Sequence, residues 1–329
     1  MSRPLLEIED LRVELSARAG TAPVIDGLSL TLHEGETLGV VGESGCGKSM
    51  TALAIMGLLP ERVTRIAGGR ILFEGEDLAH ASPARLREVR GNAISMIFQE
   101  PMTSLNPLYT VGEQIGEVLR RHRGLSRGEA KRRAGDLLDA VHIPNARARL
   151  DDYPHRMSGG QRQRVMIAMA LACEPRILIA DEPTTALDVT VQAQIFDLLR
   201  ELNERTGTAI VLITHDMGAV SEMADRVVAM YAGRKVEEGP VGTVIGHARH
   251  PYTSGLIACV PHLMPQVAEE RPELPEIRGI VPPLTQFGRD QCLFASRCDL
   301  ASAQCRAERP PHRPFEPGHT AACWHAEAV

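Results

Sequence analysis

The segment Gly42-Glu43-Ser44-Gly45-Cys46-Gly47-Lys48-Ser49 constrains this chain more than any other stretch, because it fits the Walker A pattern G-x-x-x-x-G-K-[ST]. An apolar run, Thr37-Leu38-Gly39-Val40-Val41, precedes it and reads as a buried parallel strand. Met50-Thr51-Ala52-Leu53-Ala54-Ile55-Met56 follows with helical character. In that strand–loop–helix setting, glycines let successive backbone N–H groups turn inward around a phosphate chain, and the helix N-terminus adds a favourable dipole. Gly42, Ser44, Gly45, Cys46 and Gly47 form the cradle. Lys48 can bridge β- and γ-phosphates, and the Ser49 hydroxyl can ligate Mg2+.

The chain has 329 residues, enough for one large domain with an appendage or for two domains. Basic and acidic residues number 36 and 42, a net charge of −6, which argues against a protein built to coat nucleic acid. Aromatics make up 3%, so the core is expected to rest on aliphatic side chains and Met. No window carries about 18 uninterrupted apolar residues, and the N-terminus lacks a signal-peptide core, so a cytosolic location is expected. In a reducing compartment the seven cysteines are expected free, catalytic or metal-binding.

In chain order, Leu5–Leu15 reads as a strand, Ala19–Pro23 as a turn, and Leu28–Leu32 as a half-buried strand. Ile71–Gly75 and Ile94–Phe98 are further strand candidates. From about residue 105 to 157, Arg/Glu/Ala-rich segments such as Gly128–Val141 predict a helical insertion. Ser158 is the expected N-cap of a helix over Gly159–Cys173. Ile177–Ala180, Ala209–Ile213 and Val227–Met230 are short apolar runs at helix-separated intervals, the pattern of a parallel sheet covered by helices. Residues 261–329, rich in Pro, Cys, His and Arg, read as an irregular appendage.

The run Ile177-Leu178-Ile179-Ala180-Asp181-Glu182 is the acidic partner a phosphate loop requires, with Asp181 placed to hold Mg2+ and Glu182 to polarise water. Just before it, Met157-Ser158-Gly159-Gly160-Gln161-Arg162-Gln163-Arg164 resembles the signature of ATP-binding cassette (ABC) ATPases, with Met157 where Leu is usual. Gln99 resembles that family's glutamine loop, Thr185-Ala186-Leu187-Asp188 the loop after the catalytic carboxylate, and His215 the switch histidine. The resemblance implies an α/β ABC ATPase fold: a parallel-sheet core, an antiparallel β subdomain, a helical insertion and a cysteine-bearing extension. It implies ATP and Mg2+ as cofactors, Glu182 as general base, and His215 as a γ-phosphate contact. Ser49, Gln99 and Asp181 would organise the metal, and Ser158, Gly160 and Gln161 would face ATP held by a second subunit. The family usually stacks adenine on an upstream aromatic, yet none precedes Phe73, so Leu15 or Arg18 is expected to substitute.

Glu100–Pro107 and His250-Pro251-Tyr252-Thr253-Ser254-Gly255-Leu256 resemble the dipeptide/oligopeptide and nickel importer subgroup. This implies a domain over 1–245 with its helical subdomain at about 105–160, and an extension over 246–329. It also implies a peripheral position on the cytoplasmic face of the membrane, permease subunits, a second ATPase subunit and, indirectly, a solute-binding protein. Cys292, Cys298, Cys305 and Cys323 resemble the subgroup's C-terminal motif, which in some members holds an iron–sulfur cluster; Zn2+ or four free thiols are the alternatives. Cys46, Cys173 and Cys259 are expected to be packing residues, with Cys46 open to thiol reagents. The rivals are a nickel or other solute importer, an exporter, and a soluble switch acting on ribosomes or DNA. Neither tandem cassettes nor a long coiled-coil insertion supports the last.

Overall fold

The computed structural model describes residues 3–17, 20–99, 104–185, 188–260, 276–282 and 290–329. They pack as two units, one of Met1–Leu32, Thr37–Ala79 and Thr214–Val329, the other of His33–Glu36 and His80–Ile213.

In the first unit, β1 (Leu6–Ala17) pairs antiparallel with β2 (Gly20–Leu32) on one side and β4 (Thr64–Phe73) on the other, and β5 (Glu76–Asp77) closes the far edge. Alternation explains the arrangement: Leu28, Leu30 and Leu32 are buried while Ser29 faces out. The turn expected at Ala19–Pro23 is strand from Gly20 onward, where Thr21, Ala22 and Pro23 pair with Ser16, Leu15 and Glu14. Pro23 is tolerated because β2 is an edge strand, where a missing N–H costs no ladder bond. A bulge interrupts β1 between Ile8 and Leu11, with Asp10 at φ 45°. It presses on Gly69, where a Cβ would lie 2.4 Å from the Asp10 carbonyl oxygen.

The same unit holds a run of strands in the order β11-β12-β10-β9-β3. β3 (Thr37–Val41) is buried along its whole length and lies parallel to β9 (Arg226–Tyr231), as a continuous apolar run predicts. β9 turns back into β10 (Arg234–Pro240), and β12 (His319–Ala321) pairs with β10 while β11 (Arg313–Glu316) pairs with β12. The expected irregular appendage is therefore corrected: its last strands extend the sheet. Residues 261–275 and 283–289 of that appendage lie outside the described set.

The second unit contains three parallel strands in the order β8 (Ala209–Thr214), β7 (Ile177–Asp181), β6 (Ile94–Ile97), all buried. The helical insertion is present as Val111–Arg123 and Arg127–Ala140. Capping boxes start both helices, Thr110 with Glu113 and Ser126 with Glu129. Their buried faces, Val111, Ile115 and Leu119 on one and Ala130, Ala134, Leu137 and Leu138 on the other, repeat at helical spacing. The helix expected over Gly159–Cys173 ends at Leu171, and Cys173 follows it as a buried loop residue.

Candidate functional site

The first unit contributes the phosphate loop, strung between β3 and the helix Lys48–Ile55. Gly42 sits at φ 151°, and a Cβ there would meet the Met230 carbonyl oxygen at 2.3 Å, so the loop's tight entry requires glycine. Lys48 is 5% exposed, and its Nζ donates to the carbonyl oxygens of Gly42 at 2.6 Å and Glu43 at 3.1 Å. The ammonium is thus held over the loop it serves. Cys46 is 1% exposed, and burial raises its thiol pKa against the opposing pull of Lys48. A buried, protonated thiol is a poor target, which corrects the expectation that Cys46 is open to reagents.

His215 belongs to this unit as well, exposed just past the end of β8. Its neighbour Asp216 caps the next helix, Met217–Met223, by accepting N–H bonds from Gly218 and Ala219.

The carboxylates lie in the second unit. Asp181 is buried as the last residue of β7. Glu182 follows at φ 46°, a left-handed conformation unusual for a non-glycine residue and held by its N–H bond to the Ile213 carbonyl oxygen at 2.8 Å. Its carboxylate accepts from Gln99 Nε2 at 2.9 Å and from Thr185 Oγ1 at 2.8 Å. Two side chains 83 positions apart in sequence, both expected to be catalytic, therefore touch.

Ser158 caps the helix Gly159–Leu171 as expected, accepting from the Gln161 N–H while the Gln161 side chain accepts from the Ser158 N–H. Gln161 is accordingly committed to the cap. A Cβ on Gly160 would approach Val191 Cγ1 at 3.0 Å. Of the residues expected at adenine, Leu15 lies on β1 and is half-buried, and Arg18 is outside the described set, as are Glu100–Thr103 and Ala186–Leu187.

Cys305 and Cys323 are buried, and Cys292 and Cys298 are half-buried. The Cys292 N–H donates to the Cys305 carbonyl oxygen at 2.9 Å. Burial raises the pKa of the Cys292, Cys298 and Cys323 thiols, Cys323 to about 11, and neighbouring cysteines of the group add to each shift. Among the described residues, no set of three or more His, Cys, Asp or Glu side chains is disposed to hold a metal ion.

A family model described as ABC transporter matches residues 25–185, and one described as oligopeptide/dipeptide transporter, C-terminal region, matches residues 236–305. A probable peptide ABC transporter ATP-binding protein of Sinorhizobium fredii is 48% identical over 99% of this chain and 96% of its own length. The chain belongs to the ABC transporter ATPases. A putative peptide import ATP-binding protein of Brucella abortus is 50% identical over 93% of this ABC ATPase and 91% of the relative. Among solved structures, a dimeric ATP-binding cassette, MJ0796, bound to ADP and Pi superposes with a TM-score of 0.65 and 28% identity, covering 72% of this chain and 98% of that one. The cbiO1 protein of Clostridium perfringens, part of the transporter complex cbiONQ, gives 0.62 and 29%, covering 74% and 92%. This ABC chain is thus an ATPase coupled to transport, and ATP with Mg2+ is its general requirement.

Sequence reasoning missed two residues that reach the ABC phosphate loop from far along the chain. The Glu43 N–H donates to the Tyr252 hydroxyl at 2.6 Å, and Arg297 clasps the Glu43 carboxylate at 2.6 and 2.9 Å. No local pattern marks a partner 254 residues away; only the folded extension brings it there.

Proposed function

We propose that this chain is the ATP-hydrolysing subunit that energises import of di- and oligopeptides through a separate membrane permease. The match of residues 236–305 to the oligopeptide/dipeptide transporter C-terminal region carries the reading, and the peptide-import names of relatives near 50% identity support it. Residues 1–245 act as the nucleotide-binding domain, with the helical subdomain at about 105–160, and 246–329 as the transporter-type extension. Among the described residues no helix is long and apolar enough to cross a membrane, which suits a peripheral subunit on the cytoplasmic face.

In this proposal the amides of Gly42, Ser44, Gly45, Cys46 and Gly47, with Lys48, hold phosphate. Ser49, Gln99 and Asp181 would hold Mg2+, which would supply positive charge against the phosphate chain. Glu182 takes the proton from the attacking water, and its bond to Gln99 fixes the carboxylate for that task. His215 contacts the γ-phosphate. Ser158, Gly160 and Gln161 face ATP on a second ABC subunit, identical or homologous, so that ATP joins the pair and hydrolysis releases it. A solute-binding protein delivers cargo to the permease.

Cys292, Cys298, Cys305 and Cys323 are proposed as the residues that would hold an iron–sulfur cluster, with Zn2+ or four free thiols as the alternatives. Iron and sulfide analysis of anaerobically purified protein tests this; a folded extension free of both overturns it.

Uptake of labelled di- and oligopeptides, beside nickel, in cells whose only copy is Glu182→Gln tests the cargo. Loss of peptide uptake with nickel uptake intact is expected. Loss of nickel uptake alone assigns the chain to a nickel importer, and persistence of both overturns the import assignment.

A further inference from the structure

Glu43 is an acid placed inside a loop that must receive a polyanion, and the fold answers it with one buried cation. The Arg297 side chain is 4% exposed, and its two terminal nitrogens reach Glu43 Oε2 at 2.6 Å and Oε1 at 2.9 Å, the bidentate fork that suits guanidinium and carboxylate. The remaining donors are satisfied by the carbonyl oxygens of Ile277, Arg278 and Gly279 and by the Tyr231 hydroxyl. The guanidinium also lies 5.8 Å from the ring centroids of both Tyr231 and Phe294. Tyr231, Tyr252 and Phe294 pack against each other at 4.8 to 5.5 Å, so the cation stands on an aromatic platform that fixes where it points. Tyr252 completes the arrangement by holding the Glu43 backbone N–H. Phe294 and Arg297 both lie between Cys292 and Cys298.

We propose that Arg297 is a positioning residue for nucleotide binding: it neutralises and fixes Glu43 so that the phosphate loop can accept ATP. This places control of the loop in the extension, within the segment bounded by Cys292 and Cys298. The inference rests on the phosphate loop holding ATP. The physical argument is Coulombic. An unpaired carboxylate on the phosphate loop repels the incoming charge, and a fully paired one does so far less. Because Arg297 is buried and always charged, water and salt cannot easily take its place.

Equilibrium MgATP binding to the full chain tests this, with unfolding midpoints measured in parallel. Arg297→Gln should bind ATP about tenfold more weakly, the effect of an unpaired carboxylate worth roughly one pKa unit of interaction. Glu43→Gln should stay within about threefold of wild type, and adding it to Arg297→Gln should restore affinity to that level. Rescue of affinity, measured where every variant is fully folded, is the readout that a merely structural arginine would not give, since such a role moves the unfolding midpoint without moving the affinity of the folded protein. Unchanged affinity in Arg297→Gln, or a double variant no better than the single, overturns the inference. If Arg297→Gln does not fold, Arg297→Lys is read the same way: a charge without the fork should weaken ATP about threefold and be restored by Glu43→Gln. An affinity weakened in the lysine variant and not restored by Glu43→Gln overturns the inference. Wild-type protein that binds no more ATP than Lys48→Ala would instead refute the nucleotide reading on which this one stands.

Discussion

Glu182 shows how a single residue can be prepared for chemistry by its own strand. Its backbone is fixed in a left-handed conformation at the end of β7, and its carboxylate is aimed by Gln99 and Thr185. Glu182→Gln keeps the shape of the group and removes its basicity. Steady-state ATPase activity, measured with the assembled transporter, should fall by about 100-fold or more while ATP affinity holds. His250 makes a different prediction. Its ring is fully buried, Nδ1 accepts the Tyr252 N–H, and burial lowers its pKa to about 3. An imidazole neutral to about pH 3 when folded takes up a proton near 6.5 once unfolded. The stability it contributes is therefore whole above pH 6.5 and is lost as pH falls toward 3. His250→Asn retains a capping acceptor that does not titrate. Between pH 7 and 5, chemical denaturation should show wild type losing up to about 2 kcal/mol more than the variant. These residues also mark the limit of legibility. The placement of Asp181 and Glu182 at a strand end, of Lys48 at a helix start and of the Ser158 cap could be read from motifs, because each depends on a few neighbouring positions. The contact of Gln99 with Glu182 and the embrace of Glu43 by Arg297 depend on chain reversals that no local pattern encodes.

At the level of elements, the parallel strands and the capped helices follow from continuous apolar runs and capping boxes, and their boundaries shifted by only a residue or two. The extension was harder to read. β11 and β12 are four and three residues long, and Arg313-Pro314-Phe315-Glu316 has neither length nor a clear apolar alternation. What makes them strands is pairing, β12 with β10 and β11 with β12, and the carboxylate at the centre of β10. Glu237 is 0% exposed and accepts from the Arg249 N–H at 2.6 Å, the His250 N–H at 3.0 Å and His319 Nε2 at 2.8 Å. Every one of these donors comes from after position 245. Glu237→Ala would leave buried donors without an acceptor and should cost at least about 3 kcal/mol in urea denaturation. A loss below about 1 kcal/mol would show that the extension is held by other means. The aromatic cluster was equally hidden: with 4 Tyr and 6 Phe in the whole chain, composition pointed to an aliphatic core, yet three of these rings gather where the extension meets the phosphate loop.

For the molecule as a whole, the sequence boundary at 245/246 divides two compositions but not the packing of the first unit, which takes in described residues on both sides of it. A chain cut after residue 245 should consequently fail to give soluble protein that binds ATP, whereas the full chain does; expression followed by an ATP-affinity step reads this directly. The pairing of Glu237 with His319 carries one more consequence, for the ribosome rather than the transporter. The two residues are 82 positions apart. At roughly 5–20 residues per second, the carboxylate emerges about 4–16 s before the imidazole that completes its burial. Throughout that interval the nascent chain carries an open edge on β10, the kind of surface that recruits neighbouring strands and chaperones. Polysomes translating this message thus hold a row of unfinished sheets, each closed only once His319 has left the tunnel.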